Sequence, residues 1–174
     1  LESYVVRGPL FGLYPLCAGI CTIGDQKTWQ DPNFQLVAFK DKTAQQIIGY
    51  MDLKIHEVGG QKSLVILGLH PSLEMVEHVA ASQIVDTMIN TAKELARQKG
   101  LNGVYLSKSE NVLSNIKSIQ QAVTKKTYPV ATIDKVSWTS SRVYDVEDVY
   151  VIVPESPSSN QLLGLAPMLL GAQQ

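Results

Sequence analysis

His70 closes the apolar run "SLVILGL" (63–69), where an imidazole, which titrates near neutral pH, is a candidate general base. Glu57, directly after "IIGYMDLKIH" (47–56), is the second candidate. His56 alternates to the opposite side of its strand from Glu57, while His78 lies in "HPSLEMVEHVAAS" (70–82), where a cation could sit beside a phosphate. A plainer role stays open for His70, that of a turn residue satisfied by backbone. Cys17 and Cys21 are the only two cysteines, and their four-residue spacing puts both on one face of a possible helix without requiring a bond. No histidine or further cysteine lies nearby in sequence to complete a zinc set, and the apolar surround "PLCAGIC" blunts thiol reactivity.

The elements that must position these groups come from an ordinary globular composition. The chain has 174 residues, 45% hydrophobic and 18% charged, enough for one domain with a full core. A formal net charge of -1 leaves no Lys/Arg excess to drive counterion release, which argues against nucleic acid as a partner. Two free thiols suit a reducing, cytoplasmic compartment. Pro9, Pro15 and four glycines between residues 8 and 24 break up the apolar run from Phe11 to Ile23, so it reads as part of the fold rather than as a leader.

"QLVAFK" (35–40) and "IIGYMDLKIH" predict strands joined by the polar "DKTAQQ", and "VGG" (58–60) turns the chain into "SLVILGL", which suits a strand buried on both faces. These make three consecutive antiparallel strands. From about residue 79 the period changes: Ile84, Met88, Ala92 and Leu95 form a helical stripe widened by Val85, Ile89 and Ala96. Ser82 is a possible N-cap and Gly100 the C-terminal stop. "GVYLS" (103–107) predicts a strand, Asn111 to Val123 a helix, and "ATIDKVSW" (131–138) and "DVYVIVP" (148–154) two closing strands around a polar loop, "TSSRVYDVE". A strand, helix, strand order of this kind makes a crossover to a parallel neighbour. The expected domain covers 1–155, followed by a linker and apolar tail (156–174). The tail's apolar stretch, of about ten residues, is too short to span a bilayer and suits docking, a partner contact or a homodimer.

This element order resembles the GNAT family of N-acetyltransferases. "IIGYMDLKIH" with Gly49 looks like that family's third strand, and "LVILGLHP" with Pro71 like its fourth. "AKELARQKGLNGVYLSKSENVLSNIKSI" looks like the end of its third helix, its fifth strand and the start of its fourth helix. The resemblance runs over residues 34–153 and implies an α+β domain with a mixed, mostly antiparallel sheet flanked by helices.

It also implies acetyl-CoA or another acyl-CoA, held where two strands splay apart, at Leu67, Gly68 and Leu69, with a pyrophosphate at the start of the long helix. The family's glycine loop is missing. Counting from Pro71 puts Glu74, Met75 and Glu77 at the basic and glycine positions, where carboxylates would repel a phosphate; counting back from Gly100 puts the small residues Ala80, Ala81 and Ser82 there, with "SLEMVEH" as an insertion. The second register is preferred, because the helix end is the better marked. The family's tyrosine acid falls on Ser118, a poorer acid, and Asn111 and Asn115 are the matching cofactor contacts.

The expected function is therefore acyl transfer from acyl-CoA to a small-molecule or protein amine, with His70 or Glu57 as base. The alternative is a catalytically degenerate module that binds a protein partner. The segment before residue 34 and the 139–147 loop, both read as irregular, would choose the acceptor.

Overall fold

The computed structural model describes residues 1–6, 31–139 and 143–155. In chain order the elements are β1 (Glu2–Val6), β2 (Phe34–Asp41), β3 (Gln46–Val58), β4 (Gln61–Pro71), α1 (Leu73–His78), α2 (Ala81–Gln98), β5 (Val104–Ser107), α3 (Glu110–Leu113), α4 (Lys117–Lys125), β6 (Val130–Thr139) and β7 (Val143–Val153). Seven strands form one sheet in the order β1-β2-β3-β4-β5-β7-β6. Every neighbouring pair is antiparallel except β4 and β5. The fold is thus α+β, a single domain built on a mostly antiparallel sheet.

Local chemistry accounts for the turns. Asp41 Oδ1 accepts the amides of Thr43 at 2.8 Å and Ala44 at 3.1 Å, closing the β2–β3 hairpin. Gly59 and Gly60 both carry positive φ (58° and 80°), the backbone that a two-residue hairpin turn demands between β3 and β4. At the end of α2, Gly100 takes φ 65°, its amide bonds Arg97 O, and the Leu101 amide bonds Ala96 O at 2.9 Å, so two terminal carbonyls are satisfied.

Two apolar cores sandwich the sheet. On one face Val37, Phe39, Met51, Leu53, Leu64 and Ile66 meet the buried stripe of α2 and α4's Ile119 and Val123. On the other, Leu36, Tyr50, Val65, Leu67 and Tyr105 pack with Ile133 and Val136 of β6 and Val146 and Val149 of β7. Two side chains of β3 bridge to β6 on this second face: Lys54 Nζ donates to Ser137 O at 3.0 Å, and His56 Nε2 lies 2.9 Å from Asp134 O. β3 and β6 are not neighbours in the sheet, so the β6–β7 hairpin curls back over the second face.

Several sequence expectations need correction. Residues 2–6 form the edge strand β1 rather than an irregular lead-in, because they pair with β2. Residues 143–147 are strand rather than loop: Val136 pairs with Val146 and Ser137 with Asp145, Val146 is buried, and the polar residues stand on the solvent side. The single helix expected from Asn111 is two. Ser114 goes extended, its Oγ accepts the Ile116 amide at 3.2 Å, and its carbonyl takes the Gln120 side chain at 2.7 Å, which breaks the helical run. Ser82 is not the cap of α2. Ala80 occupies that position and its methyl side chain makes no cap bond; the side-chain cap of this region, Ser72 Oγ accepting Met75 N at 3.1 Å, serves the inserted helix α1. Cys17, Cys21, the run 11–23 and the tail 156–174 lie outside the described residues.

Candidate active site

β4 pairs with β5 at Leu64–Val104, Val65–Tyr105 and Ile66–Leu106, and the ladder stops there. β4 itself runs on to Pro71. The bond from Ser72 N to Ile48 O at 2.8 Å sets which groups of this half of β4 face β3. By alternation Gly68 and His70 bond toward β3, and Leu69 carries its N–H and C=O toward the β5 side, beyond the last rung. Leu69 is fully buried, and no hydrogen bond to those groups forms among the described residues. Buried backbone groups without partners are rare and mark a place where an extended ligand can bond.

A bulge lies at the same point. Asp52 pairs with Gly68 and Leu53 with Ile66, which leaves Leu67 unmatched. Leu64 and Ile66 face α2, and strict alternation would send His70 to that side too. The extra residue reverses the parity, so His70 emerges on the second face, beside Tyr50 and Asp52.

There His70 is held on three sides. Its Nε2 lies 2.9 Å from Asp52 Oδ1. Its ring packs on Tyr50 with centroids 4.7 Å apart and planes 32° from parallel. Below it is Gly68, where a Cβ would fall 2.2 Å from His70 Nε2 and 2.6 Å from Val112 O, so only glycine admits both neighbours. Asp52 is 4% exposed and the His70 side chain 17%, so the pair sits at the edge of the core.

Asp52 was missed in the sequence reading. Its signal was a lone carboxylate inside the apolar run "YMDL", at the same strand parity as Tyr50. Glu57 stands exposed at the other end of the hairpin, opposite Lys62, whereas His70 is opposite Tyr50. Seven residues of strand separate the two levels, about 23 Å at ~3.3 Å per residue. The structure does not bring Glu57 and His70 together.

The remaining candidates frame the gap. α3 packs between the sheet's two cores, with Val112 in one and Leu113 in the other, and Val112 O narrows the gap at Gly68. Asn111 lies within α3, Asn115 is exposed in the break before α4, and Ser118 is half-buried in the first turn of α4. Ala80, Ala81 and Ser82 form the start of α2, small and largely exposed, and the amides of Ala81 and Ser82 make no bond among the described residues. Such free amides at the positive end of an 18-residue helix suit an anion. Glu74 and Glu77 stand on α1 rather than in this turn.

Open hollows also lie elsewhere among the described residues. A cleft of about 460 Å³ is lined by Lys108, Ser109, Lys135, Asp145, Glu147 and Asp148, with Lys135 bridging Asp145 at 3.6 Å and Glu147 at 3.5 Å. A larger hollow, about 650 Å³, lies between Ser3, Val5 and Val37 on one side and α2 on the other. Its carboxylate, Glu94, accepts hydrogen bonds from Arg97 and Gln98, which lower its pKa to about 2. Size therefore does not select the site, whereas the unpaired strand edge and the histidine pair do. Among the described residues no cluster of three or more metal-ligating side chains occurs, and no helix is long and apolar enough to cross a membrane.

No family model matches the chain, and no curated protein matches it. Among solved structures, the crystal structure of a probable acetyltransferase superposes with a TM-score of 0.48 at 12% identity, over 74% of this chain and 90% of that one. A likeness at that level carries no activity across.

Proposed function

We propose that this protein is a cytoplasmic N-acyltransferase of the GNAT type, moving an acyl group from acetyl-CoA or another acyl-CoA to an amine. The observation that carries the reading is the parting of β4 from β5 beyond Ile66 and Leu106, with Leu69's backbone groups unpaired among the described residues and His70 one residue further on. The motif resemblance of "IIGYMDLKIH" and "LVILGLHP" supports it.

Acyl-CoA supplies an activated thioester when bound. Leu69 N–H and C=O bond its extended arm, and the start of α2 at Ala80, Ala81 and Ser82 takes its pyrophosphate, the small side chains standing in for glycine. His70 accepts the proton lost by the amine nitrogen as the new N–C bond forms and the C–S bond breaks. Ser118, whose hydroxyl is a weaker acid than a phenol, would relay a solvent proton to the departing thiolate, or solvent would supply it directly.

One observation favours the second reading, a degenerate module that binds a protein partner. The backbone of α3 reaches Gly68 and occupies part of the gap. Calorimetric titration with acetyl-CoA, and separately with free CoA, decides between them. Saturable micromolar binding is expected; no binding at millimolar cofactor would overturn the acyltransferase reading in favour of the scaffold.

A further inference from the structure

We infer that Asp52 is a positioning residue, holding His70 with its proton on Nε2 so that Nδ1 is the nitrogen that takes the acceptor's proton. This rests on the acyltransferase reading for its role and on the geometry alone for the tautomer.

An ionised carboxylate can only accept hydrogen bonds. Asp52 Oδ1 lies 2.9 Å from His70 Nε2, so the bond exists only if Nε2 bears the hydrogen. The other neutral tautomer would set two lone pairs against each other inside a pair of side chains 6% and 17% exposed. A neutral imidazole has one N–H and one bare nitrogen, so a proton on Nε2 leaves the lone pair on Nδ1. Nδ1 bonds to no described residue.

Rotation cannot undo this cheaply. Turning the ring over would put Cε1 in place of Nε2 against the carboxylate, losing the bond. Tyr50 covers one face of the ring, and the Nε2–Cε1 edge lies over Gly68, so close that a Cβ there would be 2.2 Å and 2.6 Å from those atoms. When Nδ1 takes a proton, the imidazolium keeps its Nε2–H on Asp52, which stabilises the new charge and keeps the bare nitrogen's direction fixed between turnovers.

The test is a long-range proton–nitrogen NMR correlation of the uniformly labelled full chain, at a pH where imidazoles are neutral. His70 is assigned by the signal that His70→Gln removes from among the three histidines. A bare Nδ1 and a protonated Nε2 are expected, and Asp52→Asn, which can present an amide N–H instead, should shift the pattern toward the averaged or reversed tautomer. A protonated Nδ1 or a free-histidine average in the native protein overturns the assignment, and so does a pattern left unchanged by Asp52→Leu, which can neither accept nor donate. Should either variant not fold, the native spectrum alone still decides.

In turnover, Asp52→Asn should lower kcat while leaving KM for acyl-CoA unchanged, by no more than the ~10²–10⁴-fold that a general base contributes. An unchanged kcat overturns the positioning role. Failure of acyl-CoA to bind overturns the acyltransferase reading but leaves the tautomer standing on its spectrum, so the two failures are distinct.

Discussion

Asp52 and His70 stand eighteen residues apart in the chain and meet at 2.9 Å across two neighbouring strands. They share a face only because β4 bulges at Leu67, the residue directly after its last rung with β5. Beside the end of the β4–β5 ladder, one irregularity thus delivers a histidine to a buried carboxylate.

Replacing His70 by Ala should lower acyl transfer by about 10²–10⁴-fold, the range of general-base catalysis. Affinity for acyl-CoA should stay the same, since the arm is bonded by backbone. Single-turnover kinetics beside a binding titration separates the two, and an undiminished rate would put the base elsewhere.

The same substitution leaves Asp52 buried without its partner, which should destabilise the fold by about 1–3 kcal/mol. The double variant His70→Ala/Asp52→Ala should cost less than the sum of the single changes. Urea unfolding of all four proteins reads the coupling; strict additivity would mean the pair does not interact.

Gly68→Ala should destabilise by about 1–3 kcal/mol through overpacking. The added methyl collides with the His70 ring and with a backbone carbonyl, Val112 O, and α3 cannot give way as a flexible side-chain tip would. A fall in the denaturation midpoint together with a shifted His70 ring spectrum is expected, and a neutral substitution would show that α3 is loosely seated.

At Gly100 the positive φ of 65° makes alanine strained, at about 1–2 kcal/mol. Two capping bonds hang on that residue, Gly100 N to Arg97 O and Leu101 N to Ala96 O. Thermal melts should show the loss with no change in the site, which lies away from the C-terminal end of α2.

Tyr105 provides a test in alkali. Burial first, then the neighbouring Glu155 carboxylate, pushes its hydroxyl from the usual 10.0 to about 12. A raised folded pKa means the unfolded chain gives up its proton first, so this contribution is complete below pH about 10 and is lost as pH climbs toward about 12. Tyrosinate absorbance should show Tyr105 titrating late, alongside Tyr128, whose hydroxyl burial also raises; Glu155→Gln should bring the Tyr105 signal earlier, and no change would remove Glu155 from its environment.

The alternating and continuous apolar runs determined, by themselves, β2, β3, β4, β5 and the stripe of α2, because burial periodicity is a local property of the chain. Gly100 marked its helix end for the same reason. Histidine at the close of β4 was legible as a candidate base. What the sequence could not express was parity: a bulge shows only when two strands are set in register, and a shift of one residue carries every later side chain to the other face. Asp52 was invisible as a partner for that reason, and Glu57 was attractive until the hairpin put it at the far end. The break at Ser114 and the strand at 143–147 likewise depend on partners outside the segment itself, the Gln120 side chain six residues on and the β6 ladder. Tertiary packing decided them because hydrogen bonds across strands, unlike hydrophobic spacing, are not written in any single segment.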